Sequence, residues 1–301
     1  MLKDCNKETI EQTGQLIKQL QLPPDFIRIV DEIYIPLARA VINKKSVEPL
    51  FVSINGAQGT GKSTLTRFLK LIIESEFACH VAEFSLDDFY LTRKQRVQVA
   101  DKIHPLFGTR GVPGTHDINL IESTLSNLCD RKVTEIPRFN KATDDRCAQS
   151  EWTRLITPVD VILFEGWCNH STIQQTDELL EPINELERTE DPDAIWRNHS
   201  NEMLKEYHQR IFNFADLCIM LQAPDFESVY GWRKLQEAKL RESTRPTEQA
   251  RIMNDKELAR FIQHYERITR HTLDHLPKLA NLILPITSGH KMTRIQYNEL
   301  K

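Results

Sequence analysis

The chain has 301 residues, of which 40% are hydrophobic and 27% charged, with a formal net charge of -4 at neutral pH. That balance supports a packed core and excludes wholesale disorder. It also lacks the basic excess of a nucleic-acid binder. The six cysteines (Cys5, Cys79, Cys129, Cys147, Cys168 and Cys218) are scattered, without C-x-x-C or metal-ligand spacing, so reduced thiols are expected. The opening Met1-Leu2-Lys3-Asp4 has the order of neither a signal nor a transit peptide. No apolar run nears the roughly 20 residues that span a bilayer. A cytoplasmic protein without a membrane or nucleic-acid partner is the expectation; the sequence leaves the oligomeric state open.

Residues 7–45 read as two helices, with apolar residues at helical spacing and a break at Pro23-Pro24. Residues 50–54 form a short apolar, β-branched run, hence a buried strand. A Gly-rich turn follows, and helical periodicity returns over 65–74. A second strand is predicted at 80–85, then a helix near 92–101, a Gly/Pro-rich loop at 104–116 and a helix at 117–128. Residues 159–164 give a third strand. Residues 171–213 read as mostly helical, 217–221 as a fourth strand, 225–242 and 254–276 as helices, and 282–285 as a last strand before a polar tail. Strands separated by helices predict an α/β fold, a parallel sheet with helices on both faces. The organisation expected is an N-terminal helical extension over 1–48 and one α/β domain over 49–301, with a lid region at about 225–245.

The turn after the first strand is Gly56-Ala57-Gln58-Gly59-Thr60-Gly61-Lys62-Ser63. A triphosphate is a dense negative cluster, and binding it takes inward-facing N–H groups and a helix N-terminus. Glycines let the backbone curl around the phosphates, Lys62 reaches the β- and γ-phosphates, and Ser63 offers a hydroxyl to Mg²⁺. Thr64 extends the same turn toward the α-phosphate. Chance alone yields such a pattern in about one chain of this length in a hundred. The strand before it and the helix after it are the context that a P-loop fold requires, so ATP and Mg²⁺ are the expected ligands.

A phosphate loop names no reaction. Asn140-Lys141-Ala142-Thr143 is the nearest approach to a guanine-reading Asn-Lys-x-Asp, and its fourth position is wrong. After the third strand stands Glu165-Gly166-Trp167 rather than an Asp-x-x-Gly switch. Phosphoryl transfer to a hydroxyl needs positioning, charge neutralisation and a proton acceptor. Asp87, at the end of the second strand, is the candidate base. Asp88 is its neighbour, either a Mg²⁺-water partner or a helix cap. Glu165 suits a Mg²⁺-bound water, since hard cations favour oxygen donors.

A cationic lid is also expected over the migrating phosphoryl. The basic segment 232–241 supplies Arg233 for catalysis, and Arg233, Glu237 and Arg241 stand at i, i+4 spacing. They fit surface ion pairs equally well. The region between the second and third strands concentrates Arg110, His116, Lys141 and Arg146, as a small acidic acceptor would need.

Gly56 to Ser63, Ser85-Leu86-Asp87-Asp88-Phe89-Tyr90, Arg110-Gly111 with Gly114-Thr115-His116-Asp117, Pro137-Arg138-Phe139-Asn140-Lys141 and Ile162-Leu163-Phe164-Glu165-Gly166-Trp167 together resemble the D-glycerate 3-kinase family. That family sits in the wider group that includes phosphoribulokinase, uridine kinase and pantothenate kinase. The resemblance runs in order from about residue 50 to residue 290. It implies ATP-dependent phosphorylation of glycerate's 3-hydroxyl, with Asp87 as base, and adenine contacts partly around residues 286–294. One departure stands out: Ala142-Thr143-Asp144-Asp145-Arg146 keeps only the Asp-Arg of the longer Gly-Asp-Arg stretch in plant-type members. Another acceptor of the same group and a non-catalytic ATP-binding regulator are the alternatives.

Overall fold

The computed structural model describes residues 2, 5–156, 158–243 and 253–298. Among these residues ten strands follow in chain order: β1 Leu50–Gly56, β2 Val81–Ser85, β3 Thr134–Ile136, β4 Phe139–Asn140, β5 Asp145–Arg146, β6 Thr153–Leu155, β7 Val161–Gly166, β8 Leu217–Gln222, β9 Leu282–Pro285 and β10 Gln296–Tyr297. Six of them form the main sheet, in the order β10-β9-β8-β1-β7-β2. Neighbours are parallel except β10, which runs antiparallel along β9.

Helices cover both faces of this sheet, so its strands need apolar residues on both sides. Alternate residues of β7 serve different cores: Val161 and Leu163 pack with the P-loop helix and N-terminal helices, Ile162 and Phe164 with the opposite face. Every residue of β1 and β7 is buried.

The helix Lys7–Gln19 is followed by the predicted proline break, where Pro24 opens a 3₁₀ turn. The second N-terminal helix carries a π-helical turn, Val30–Tyr34, between Ile27–Ile29 and Ile35–Ile42. Pro36 explains it: its nitrogen cannot donate to the preceding turn and its ring crowds the carbonyl there. Tyr34, Leu37 and Val41 share a core with Phe68, Leu69 and Ile72 of the helix Lys62–Phe77, which follows β1.

Residues 171–213 differ from the sequence expectation. Helix is confined to Glu185–Glu190 and Ile195–Arg210, with 3₁₀ turns at Asp177–Leu179 and Phe212–Phe214. The carbonyls before Glu185 are claimed by arginine side chains instead of helical N–H groups. Arg197 donates to Leu179 O at 2.7 Å and Leu180 O at 3.0 Å, while Arg267 donates to Glu178 O at 2.8 Å and Glu181 O at 2.6 Å. The two antiparallel ribbons, β3–β6 and β4–β5, are also absent from the sequence expectation, as is β10. These strands are two or three residues long, too short for an alternating pattern to register. Among the described residues no helix is long and apolar enough to cross a membrane.

Arg267, on the helix Asp255–His275, also grips Glu187 through both carboxylate oxygens at 2.7 and 2.6 Å. Glu187 is fully buried, so removing its partner leaves an uncompensated charge. Arg267→Met is expected to cost about 3–5 kcal/mol. A lowered urea midpoint with an unchanged m-value measures it.

Candidate active site

The carboxyl edge of the sheet is set by register. In β7, Glu165 lies opposite Ile54 of β1 on one side and Ser85 of β2 on the other. The loop leaving β1 and the turn leaving β2 therefore flank the same carboxylate, at the edge where open α/β sheets bind ligands.

The first of these is the phosphate loop. Gly56 ends β1 where a Cβ would lie 2.6 Å from Thr60 Oγ1 and 3.0 Å from Leu221 Cβ. Gly61 is the N-cap of the helix Lys62–Phe77 at φ +91°, a left-handed conformation that glycine adopts without strain. The Thr60 hydroxyl and the Lys62 ammonium both donate to Ala57 O, at 2.8 and 3.2 Å. Ser63, on the first helical turn, donates to Glu165 Oε1 at 2.8 Å.

The second is the 3₁₀ turn Leu86–Phe89, capped by Ser85, whose hydroxyl accepts from Asp87 N at 3.2 Å. Asp88 completes the box by accepting from Ser85 N at 3.1 Å, and it pairs with Arg138 at 3.0 Å. Burial pushes the Asp88 carboxyl up, with Arg138 opposing. Its Oδ2 serves the cap and Arg138, and the side chain also borders the cleft beside Ser63 and Glu165.

Asp87 borders the same cleft. It accepts from Tyr90 Oη at 2.9 Å and from Lys141 Nζ at 2.5 Å. Burial works to raise its carboxyl, but Lys141, Tyr90 and the more distant Lys62 outweigh it and bring the pKa to about 2. Lys141 reaches Asp87 from the loop between β4 and β5.

Arg110 enters from the long loop after β2. Its guanidinium pairs with Asp144 and lies 5.6 Å over the Phe139 ring. Its peptide is fixed on both sides: Trp167 Nε1 donates to Gly111 O at 2.9 Å, and Tyr265 Oη to Arg110 O at 3.3 Å. The helix Phe226–Ser243 brings Arg233, which pairs with Glu237, bonds Gln236 at 2.9 Å and lies 5.9 Å from the Phe261 ring centre. The Arg241 side chain and residues 244–245 of the predicted lid lie outside the described residues.

Lys62, Ser63, Asp87, Arg110, Lys141, Glu165 and Arg233 line one cleft of about 880 Å³. A second cavity of about 460 Å³ adjoins it along Gly59, Lys62 and Ser63, and is walled by Thr64, Trp232, Leu235 and His290. Trp232 donates to Ser288 O at 3.2 Å and meets the His290 ring edge-on at 4.8 Å, while His290 bonds Gly59 O.

Two expected acceptor residues do not reach the cleft. The Arg146 fork is spent on Tyr90 O, at 2.8 and 3.2 Å, and on Asp117 at 3.1 Å, tying β5 to the cap of the helix Ile118–Cys129. His116 is 4% exposed, stacked 4.4 Å behind the Tyr90 ring, with Nδ1 at 2.8 Å from Tyr207 Oη. Burial lowers its pKa to about 3, so the ring is neutral. Conversely, Tyr90, Phe139, Trp167, Tyr265 and Trp232 shape the cleft or the adjoining cavity, although the sequence assigns none of them a site role. Tyr90 and Trp167 stand beside flagged carboxylates in sequence. Tyr265 has no local signal, because its distance from Arg110 in the chain hides the contact.

The pattern of the phosphoribulokinase/uridine kinase family matches residues 51–180. The uncharacterized kinase mug58 of Schizosaccharomyces pombe is 32% identical over 244 residues, covering 74% of this chain and 80% of that protein. The chloroplastic D-glycerate 3-kinase of Arabidopsis thaliana is 28% identical over 237 residues, 73% of this chain but 46% of that longer protein. In structure, a D-glycerate 3-kinase from Cryptococcus neoformans superposes with a TM-score of 0.69 at 24% identity, covering 97% of this chain and 100% of that one.

The Lys141–Asp87 contact gives a direct test of the electrostatics. With Lys141→Ala, burial loses its main opponent, so the Asp87 carboxyl is expected to titrate above its present value of about 2. Because the folded pKa is depressed, the stability Asp87 contributes is present above the unfolded carboxyl's pKa and is lost as pH falls from there toward about 2; in the variant the gap between folded and unfolded values narrows, so this acid-linked loss shrinks. A ¹³C-carboxyl titration followed by NMR, beside acid unfolding, reads both shifts.

Proposed function

This chain belongs to the phosphoribulokinase/uridine kinase family, and we propose that it transfers the γ-phosphoryl of ATP to the hydroxyl of a small acidic metabolite, D-glycerate, giving 3-phosphoglycerate. The observation that carries the reading is Asp87, a carboxylate held between Lys141 and Tyr90 in the cleft that the phosphate loop borders.

In this reading the triphosphate lies along Gly56, Ala57, Gln58, Gly59, Thr60 and Gly61, with Lys62 on its β- and γ-oxygens and Thr64 toward the α-phosphate. The adjoining cavity beside Trp232 and His290 takes the nucleoside end. Ser63 and Glu165 offer hard oxygen donors 2.8 Å apart, a set that suits Mg²⁺ completed by phosphate oxygens. When bound, the ion screens the charge of the transferring group.

The acceptor's oxygen bonds to the γ-phosphorus as the bond to the β-phosphate oxygen breaks, and the hydroxyl proton passes to Asp87. A carboxyl near pKa 2 is a weak base. That suffices, since a loose transition state acidifies the hydroxyl only late, and the carboxylate's first task is to aim it. Lys141 is 60% exposed and held by Asp87 alone among the contacts described, so an incoming carboxylate can draw it away, and Asp87 then becomes more basic. Arg110 faces the acceptor's other end, and Arg233 neutralises the migrating phosphoryl from the lid.

A larger hydroxylated acceptor of the same group is the second reading. The aromatic wall of Phe139, Phe261 and Tyr265 and the size of the cleft favour it. ADP release measured over a panel of hydroxylated acceptors separates the two; no turnover with glycerate, while ATP binding is intact, would sink the first. Asp87→Asn is expected to lower kcat on the order of 10²–10⁴-fold with ATP affinity kept. Unchanged turnover in that variant would remove Asp87 as proton acceptor, whereas ATP binding with no phosphoryl transfer to any acceptor would leave a nucleotide-binding regulator.

A further inference from the structure

Asp87 has a second support that no part of the reaction so far uses. Its Oδ1 receives the Tyr90 hydroxyl at 2.9 Å, and Tyr90 itself is 3% exposed. The Tyr90 ring lies face to face with His116, at 4.4 Å and 22° between planes. His116 is in turn anchored through Nδ1 to the Tyr207 hydroxyl at 2.8 Å, and Tyr207 is fully buried. Main-chain bonds lock the same layer: Asp117 N donates to Phe89 O at 2.8 Å, and Leu91 N to Thr115 O at 2.9 Å. Arg146 closes it by binding Tyr90 O and Asp117 together.

We propose that Tyr90 is a positioning residue for Asp87, and that the Tyr207–His116–Tyr90 stack exists to hold its hydroxyl fixed on Oδ1. The inference rests on the reading of Asp87 as proton acceptor given above. A carboxylate that must aim a hydroxyl needs one oxygen anchored and the other free, and the two oxygens of Asp87 are divided in that way. Oδ1 faces a buried donor with few rotamers, whereas Oδ2 faces the exposed, flexible Lys141. Only Oδ2 can therefore be given over to the acceptor. His116 stays neutral because burial disfavours its charged form, so the platform under Tyr90 carries no ion whose hydration would loosen the stack. Geometry of this kind controls rate more than affinity, since a small error in aim reduces reactive encounters without loosening binding.

The test compares Tyr90→Phe, Asp87→Asn and the double variant. Single-turnover measurements at enzyme excess allow the slow Asp87→Asn background to be read. Phenylalanine keeps the stack on His116 and removes only the hydroxyl. In the wild-type background kcat is expected to fall about tenfold, with both KM values within about twofold. In the Asp87→Asn background the same change is expected to cost nothing further, because its target is already lost. Equal losses in both backgrounds overturn the inference, since Tyr90 then acts independently of Asp87. A raised acceptor KM with kcat kept also overturns it and makes Tyr90 a substrate contact. If Asp87→Asn alone turns over like wild type, the proton-acceptor reading itself fails, an outcome distinct from either of these.

Discussion

Glu165 sits where it does because β7 is wedged between β1 and β2 in parallel register, opposite Ile54 and Ser85 at once. Parallel strands fix which residues emerge together at the carboxyl edge, and no loop can rearrange that. The phosphate loop leaves from one neighbour and the Asp87 turn from the other. Shifting β7 by one residue would turn Glu165 to the other face and set Phe164 at the carboxyl edge in its place. The apolar alternation of Val161, Ile162, Leu163 and Phe164 between two cores is what forbids the slip.

Around that edge the side chains divide into supports and contacts. Arg138 and Asp88 secure the turn, Arg146 and Asp117 secure the ribbon, and Trp167 and Tyr265 secure the Arg110 peptide. The two arginine–aspartate pairs are partly buried and bonded on more than one side, and Trp167 and Tyr265 are buried rings with one donor each on the loop. Lys141 and Arg233 approach the cleft from more exposed elements, on a short ribbon and on the helix Phe226–Ser243.

The phosphate loop, the five parallel strands of the main sheet and the helices Phe226–Ser243 and Asp255–His275 were legible because each leaves a local pattern: glycines at fixed offsets, apolar runs, helical periodicity. Asp87 and Glu165 were legible for the same reason, as carboxylates at the ends of apolar runs. His116 and Arg146 show where such reading stops. Their residue types fit an anion site, but direction is decided by partners far along the chain, Tyr207 for one and Tyr90 with Asp117 for the other. The same holds for residues 171–184, whose sequence tolerates helix until Arg197 and Arg267 claim the carbonyls. Pro36 was visible, but not that the helix would absorb it as a π turn rather than end.

Three of the cleft's cations already have carboxylate partners: Arg110 with Asp144, Lys141 with Asp87 and Arg233 with Glu237. At these three positions an arriving anion meets paired rather than bare charge and must exchange partners one pair at a time; Lys62, bonded to Ala57 O, is left for the phosphates. Long-range attraction would then contribute little to capture, so the rate at which a small acid enters would depend weakly on ionic strength. Discrimination would fall instead on whether the newcomer matches the geometry of the carboxylates it displaces. In the proposed reading the paired state would act as a filter by shape.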